Sequence, residues 1–191
     1  MKFKIGIFGS GNNYKNLEEL DLKVQQLGIE LAKRNDEVVV ITGGCSGLPY
    51  IVASEAAKGG VEVWGYSPVI GMDEQKLFTP KDDLSIYSKL VYVPKDVSFV
   101  NNLRVCMKYR NVLSTNECDA GIVISGKWGS LNEFTNLIDM QKTVGVLTGT
   151  GGISDELQEL TEKIHKEGQG KVIFSDSPTE LVNELFKSLS Q

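Results

Sequence analysis

Short apolar runs alternate with amphipathic stretches along nearly the whole chain. Phe3–Phe8, Glu37–Thr42, Val61–Gly65, Ala120–Ser125, Val144–Thr148 and Lys171–Phe174 are brief and rich in β-branched residues, which predicts strands, and Leu90–Val93 is a weaker seventh. Between them apolar residues step by threes and fours: Leu17, Leu20, Val24, Leu27 and Leu31, then Leu157, Leu160 and Ile164, then Leu181, Leu185 and Leu189. Phe99 to Ser114 reads as another helix, with Phe99, Leu103, Cys106, Met107 and Leu113 on one face and Arg110 on that same face. An arginine there must find an anionic partner or point into a cavity, since burying it alone is costly; a snorkelling side chain or a structural ion pair is the plainer reading. The strand runs are apolar throughout rather than alternating, so both faces of the sheet should be covered. This predicts an α/β, Rossmann-like doubly wound, mostly parallel sheet of six or seven strands with helices on both faces. Residues 1–191 read as one nucleotide-binding domain of that kind, a length at which roughly 70% of the unfolded surface is buried on folding. Ser67 to Asp83, with Pro68, Gly71 and Pro80, interrupts the alternation as a long irregular insertion, either a substrate wall or a surface excursion.

In an open parallel sheet the ligand crevice lies beyond the carboxyl ends of the strands, where the strand order reverses. Four loops at such ends are glycine-rich: Gly9-Ser10-Gly11, Gly43-Gly44, Gly126 to Gly129 and Gly149 to Gly152. Glycine lets backbone N–H groups approach a ligand, and a following helix offers unpaired donors to an anion, so a phosphorylated ligand is expected. The dinucleotide fingerprint is broken by Tyr14 where its third glycine belongs, and by Thr42 and Gly43 where an acidic residue would end the second strand. No G-x-x-x-x-G-K-[ST] motif is present either. In SGKWGSLNEF, residues 125 to 134, Ser130 and Glu133 fit an S-x-x-E capping box. Gly126 and Gly129, flanking Lys127 and Trp128, are more glycine than a helix start requires, and the same donors also build an anion site.

Composition narrows the choice. The net charge is -5, from 20 Lys and Arg against 25 Asp and Glu, and no run of basic residues forms a patch for a phosphate backbone; nucleic acid is not expected as a partner. No stretch approaches the roughly 20 apolar residues of a membrane span, and the amino terminus lacks a cleavage site, so no membrane partner and a cytoplasmic location are expected. Three cysteines, Cys45, Cys106 and Cys118, and the single His165 offer no zinc spacing; free thiols, no metal and no cofactor are the expectation.

Met107-Lys108-Tyr109-Arg110, followed by Ser125-Gly126-Lys127-Trp128-Gly129-Ser130-Leu131-Asn132-Glu133, resembles the paired motifs M-x-x-R-K and P-G-G-x-G-T-x-x-E of the Lonely Guy (LOG) family, often labelled lysine decarboxylases. Gly43-Gly44, Gly47-Leu48, Gly59-Gly60, Gly65 and Pro68 follow the family's order of landmarks, so the resemblance spans about residues 3 to 150. It implies a Rossmann-like homodimer that hydrolyses the N-glycosidic bond of a nucleoside 5'-monophosphate to base and ribose 5-phosphate. By that resemblance Gly126, Gly129 and Ser130 hold the phosphate, Arg110 binds and polarises the substrate, and Glu133 positions the ribose and the attacking water. A carboxylate beside an oxocarbenium-like ribose and donors around the phosphate suit this chemistry. Four departures stand out: Ser125 for proline, Lys127 for the second glycine, Ser130 for threonine and Asn111 for the lysine after the arginine. Lys127 puts a side chain where the backbone would curl around phosphate, although its ammonium can meet that anion itself. It favours the alternative, a non-catalytic carrier or sensor of a phosphorylated nucleotide-like cofactor; molybdenum-cofactor carrier proteins look like this fold family. Decarboxylation through pyridoxal phosphate is disfavoured, because His165 lies in the charged, solvent-facing pattern EKIHKEG.

Overall fold

The computed structural model describes residues 2–11, 18–164 and 167–191. Tyr14, Leu17 and His165, on which three of the expectations above drew, lie outside them. Among the described residues the apolar runs form β1 (Phe3–Gly9), β2 (Val38–Thr42), β3 (Glu62–Tyr66), β4 (Lys89–Val91), β5 (Ala120–Ile124), β6 (Thr143–Leu147) and β7 (Val172–Ser175). They pair in parallel throughout, in the order β4-β3-β2-β1-β5-β6-β7. The helices are α1 (Glu18–Ala32), α2 (Leu48–Lys58), α3 (Met72–Phe78), α4 (Leu103–Glu117), α5 (Trp128–Asp139), α6 (Leu157–Lys163) and α7 (Pro178–Leu189).

Period-2 alternation sends each central strand into two cores. Ile5, Ile7, Ala120, Ile122 and Ile124 pack with α1, α2 and α7, whereas Phe8, Ile41, Val123 and Val146 pack with Phe134 and Leu137 of α5 and Leu157 of α6. Strands covered on both faces must be apolar at every position, which is why β2 and β5 are buried from end to end. No described helix is long and apolar enough to cross a membrane.

Two elements differ from expectation. The insertion at Ser67 to Asp83 is not irregular: it contains α3, whose polar Gln75 is fully buried. Gln75 Oε1 accepts from Ser67 Oγ at 2.5 Å, and its Nε2 donates to the Gly44 carbonyl and to Thr79 Oγ1, each at 2.9 Å. The second difference is α4, which starts at Leu103, capped by Asn102, and runs to Glu117 rather than from Phe99 to Ser114. Its buried positions are Cys106, Asn111, Ser114 and Thr115, so the packed face is largely polar, while Leu103, Val105 and Val112 are exposed.

The reversal of strand order falls between β1 and β5, where Gly9 lies beside Ile124. A Cβ on Gly9 would come within 2.3 Å of the Ile124 carbonyl oxygen, so the two strands close up only because residue 9 has no side chain.

Candidate functional site

Beyond the ends of β1, β2 and β5 opens a cleft of about 510 Å³, within the range of small-molecule sites. Gly9, Ser10, Gly11 and Gly43 line its sheet side. From the helices come Arg110 of α4 with Gly129, Ser130 and Glu133 of α5, and Lys127 stands at the α5 N-cap. Phe78 and Thr79 of the insertion form another wall, so this excursion does face the cleft.

Arg110 Nη1 lies 3.5 Å from Glu133 Oε1, and both side chains are largely buried, at 13% and 7% exposure. The guanidinium also reaches Cys45 Sγ, 3.5 Å from Nη2. Gly43 makes room for it: a Cβ there would fall 1.6 Å from Arg110 Nη1. With the side-chain amide of Asn111 turned so that its nitrogen faces α5, it donates to Glu133 Oε1 at 3.0 Å and to the Met107 carbonyl at 2.9 Å. Burial pushes the Glu133 carboxyl up to about 7, although Arg110 and then Lys108 pull it down. A neutral amide at position 111 adds no opposing positive charge, whereas a lysine there would. Burial also raises the Cys45 thiol, so it stays uncharged beside the arginine.

The capping-box reading of Ser130 and Glu133 does not hold. The helix starts at Trp128, two residues before Ser130, so Ser130 lies inside the first turn, and Lys127 at the N-cap makes no side-chain cap hydrogen bond. Glu133 is thereby released from capping and turned toward Arg110, while among the described residues no side chain accepts from the first-turn amides of α5. Gly129 faces open space, with nothing within 4 Å of a Cβ built on it.

Other singled-out residues serve the walls. The Ser10 hydroxyl accepts from the Gly126 N–H at 3.0 Å and pairs with Ser125 Oγ at 3.0 Å, stapling the first glycine loop to the third. The Gly126 carbonyl accepts from Ile153 N at 2.9 Å. Gly126 and Trp128 border a separate shallow depression with Gly152 and Ile153, and Trp128 is 81% exposed. Gly44, at φ 59°, stands behind the cleft as the acceptor for Gln75. Ser125 holds a φ of 52°, with its N–H bonded to Thr150 Oγ1 at 2.8 Å. Proline, fixed near about -65°, could not take this conformation, so the loop runs differently from one that carries proline here. Asn111 and Phe78 were not anticipated as parts of the site; the first stood in the sequence as a motif departure, and the second gave no signal of its own.

Several solved structures share the fold. The protein designated TM1055 superposes with a TM-score of 0.74 at 21% identity, over 98% of this chain and 99% of that one. The molybdenum cofactor carrier protein of Chlamydomonas reinhardtii gives 0.72 at 16% identity, over 100% of both chains. DNA processing protein A of Helicobacter pylori, described by its single-stranded DNA binding mode, gives 0.66 at 20% identity, over 97% of this chain and 81% of that one. A search of curated proteins finds no match.

The exclusion of nucleic acid drawn from the net charge is therefore withdrawn, since this fold also belongs to a protein that binds single-stranded DNA. The physical fault lies in using a sum over the whole chain. Phosphates respond to local potential, and Arg104, Lys108, Arg110 and Lys127 all line one cleft of a protein whose net charge is -5. Residues 2–182 match the SLOG cluster4 family, and the chain belongs to it.

Proposed function

We propose that the cleft binds a nucleoside 5'-monophosphate and hydrolyses its N-glycosidic bond, releasing free base and ribose 5-phosphate, as the resemblance to LOG proteins implies. The observation that carries this reading is the buried Arg110–Glu133 pair, set against the open first turn of α5 at the reversal of strand order. The phosphate sits on the α5 amides around Gly129 and Ser130, helped by Lys127 and the positive end of the helix. Arg110 binds the substrate. Glu133, ionised in a growing fraction of molecules above its raised pKa, stabilises the positive charge that develops on the ribose and orients the attacking water. Water adds across the C–N bond: its oxygen goes to the ribose carbon and a proton to the departing base.

The chain acts as one nucleotide-binding domain in the cytoplasm. Its assembly into a homodimer has support in α4, where Leu103, Val105 and Val112 face solvent at 40 to 46% exposure. Product chromatography after incubation with AMP, GMP, CMP and UMP tests the activity. Free base that appears with the wild type and disappears in Glu133→Ala, with melting temperature retained, supports the hydrolase. The carrier reading is favoured by Lys127 at the loop and by the shared fold with molybdenum cofactor carriers; it predicts intact nucleotide bound with measurable affinity.

A further inference from the structure

The cleft holds more positive charge than one phosphate uses. Arg110 faces Glu133 at 3.5 Å, so part of its charge is already met within the pair. Arg104, Lys108 and Lys127 line the same cleft, are all exposed, and make no ion pair with a described carboxylate. They come from two packed helices. Arg104 and Lys108 are one turn apart on α4 and so share a face, and Lys127 stands at the start of α5, which is tied to α4 through Asn111 and Asn132 at 3.0 Å. Lys108 is close enough to Glu133 to pull its carboxyl down. A phosphate monoester brings about -1.5 to -2 at neutral pH. Lys127 with the α5 N-terminus, worth about +0.5, already offsets most of that charge. Arg104 and Lys108 remain, one turn apart, with no ion pair to a carboxylate among the described residues, although Lys108 also acts at longer range on Glu133.

We infer that Arg104 and Lys108 form a second phosphoryl subsite at the mouth of the cleft, so that a nucleoside 5'-diphosphate binds more tightly than the monophosphate. The inference rests on the reading that the α5 end of the cleft holds a nucleotide's first phosphate. It does not depend on turnover. The second phosphate projects from the first toward α4, and the geometry suits a compact pyrophosphate, because both rim cations line the same cleft as the α5 N-terminus.

Calorimetric titration of the full chain with AMP, ADP and a 5'-phosphorylated tetradeoxynucleotide, at low and at high salt, provides the test. The expected result is ADP tighter than AMP by about tenfold, a difference that shrinks at high salt and collapses toward unity in Arg104→Met/Lys108→Met. Both side chains are exposed, so the double variant should melt as the wild type does, and circular dichroism checks this. Equal affinities for AMP and ADP, a preference for ADP that survives the double substitution, or tighter binding of the oligonucleotide than of ADP would each overturn the subsite. An ADP preference in a protein that releases no base from AMP keeps the subsite and removes the hydrolase reading. Base release from AMP without an ADP preference does the reverse, and absence of binding by either nucleotide removes both.

Discussion

Glu133 is the residue on which burial and charge compete most sharply. Its carboxyl is raised from 4.5 to about 7 because removing the charge from water outweighs the attraction of an arginine 3.5 Å away. An unfolded glutamate would release its proton near 4.5, so between that value and about 7 the folded chain binds more protons than the unfolded one. Stability therefore falls as pH rises through this window, by roughly 3 kcal/mol in all. Denaturant titrations at a series of pH values should show the fall in the wild type and lose most of it in Glu133→Gln; an unchanged slope in the variant would place the ionisation elsewhere. Gly43 offers a second test. Its missing Cβ leaves room for the tip of a flexible arginine rather than for backbone, so Gly43→Ala should push the guanidinium aside at a stability cost below about 1 kcal/mol, yet weaken nucleotide binding by about tenfold or more. Arg110 stands out in the sequence because an arginine on an apolar helix face is chemically conspicuous, whereas Glu133 reads there as half of a capping box and is marked for the site only by the resemblance to LOG proteins. The helix start differs from the capping signature, since serine with glutamate three residues on is such a signature wherever the register allows it, and only the path of the chain from Ser125, at φ 52°, shows that α5 begins three residues earlier, with Lys127 and not Ser130 at the N-cap.

Among the elements, α3 depends on one amide. The three side-chain hydrogen bonds of the fully buried Gln75 fasten the insertion to Gly44, the loop next to the glycine that accommodates Arg110. Gln75→Leu strands the Gly44 carbonyl and the Ser67 hydroxyl, and should cost about 2 to 4 kcal/mol. Hydrogen exchange should show the greatest loss of protection within Met72–Phe78; uniform loss across the sheet would contradict a local role. At α4, Asn102 accepts from Val105 N at 3.3 Å, and Asn102→Ala should lower stability by about 1 kcal/mol in thermal unfolding. The strands are legible because each is a short, largely apolar run bounded by polar or glycine residues. The insertion helix is not, because its anchor is a polar residue, and periodicity reads only apolar ones. For the same reason the packed face of α4 is legible only in part: Cys106 and Leu113 pack inward as expected, whereas Leu103 is exposed and the buried Asn111, Ser114 and Thr115 give no apolar signal.

At the scale of the molecule, the order of seven parallel strands decides where chemistry can occur. Reversal between β1 and β5 separates the loops after Gly9 and Ile124, and the amino end of α5 opens between them. The parallel sheet and the importance of its strand-end loops follow from the alternating strand and helix patterns, whereas the strand order, and with it the place of the reversal, does not. Nor does the distribution of charge, because a total of -5 conceals four cations gathered at one cleft. The central claim is that this cleft receives a nucleotide's phosphate, and calorimetric titration of AMP into the wild type and into Arg110→Met tests it most directly. The account predicts saturable binding of one nucleotide per chain, weakened by about tenfold or more in the variant. Flat heats with the wild type, or equal affinity in the two proteins, would contradict it.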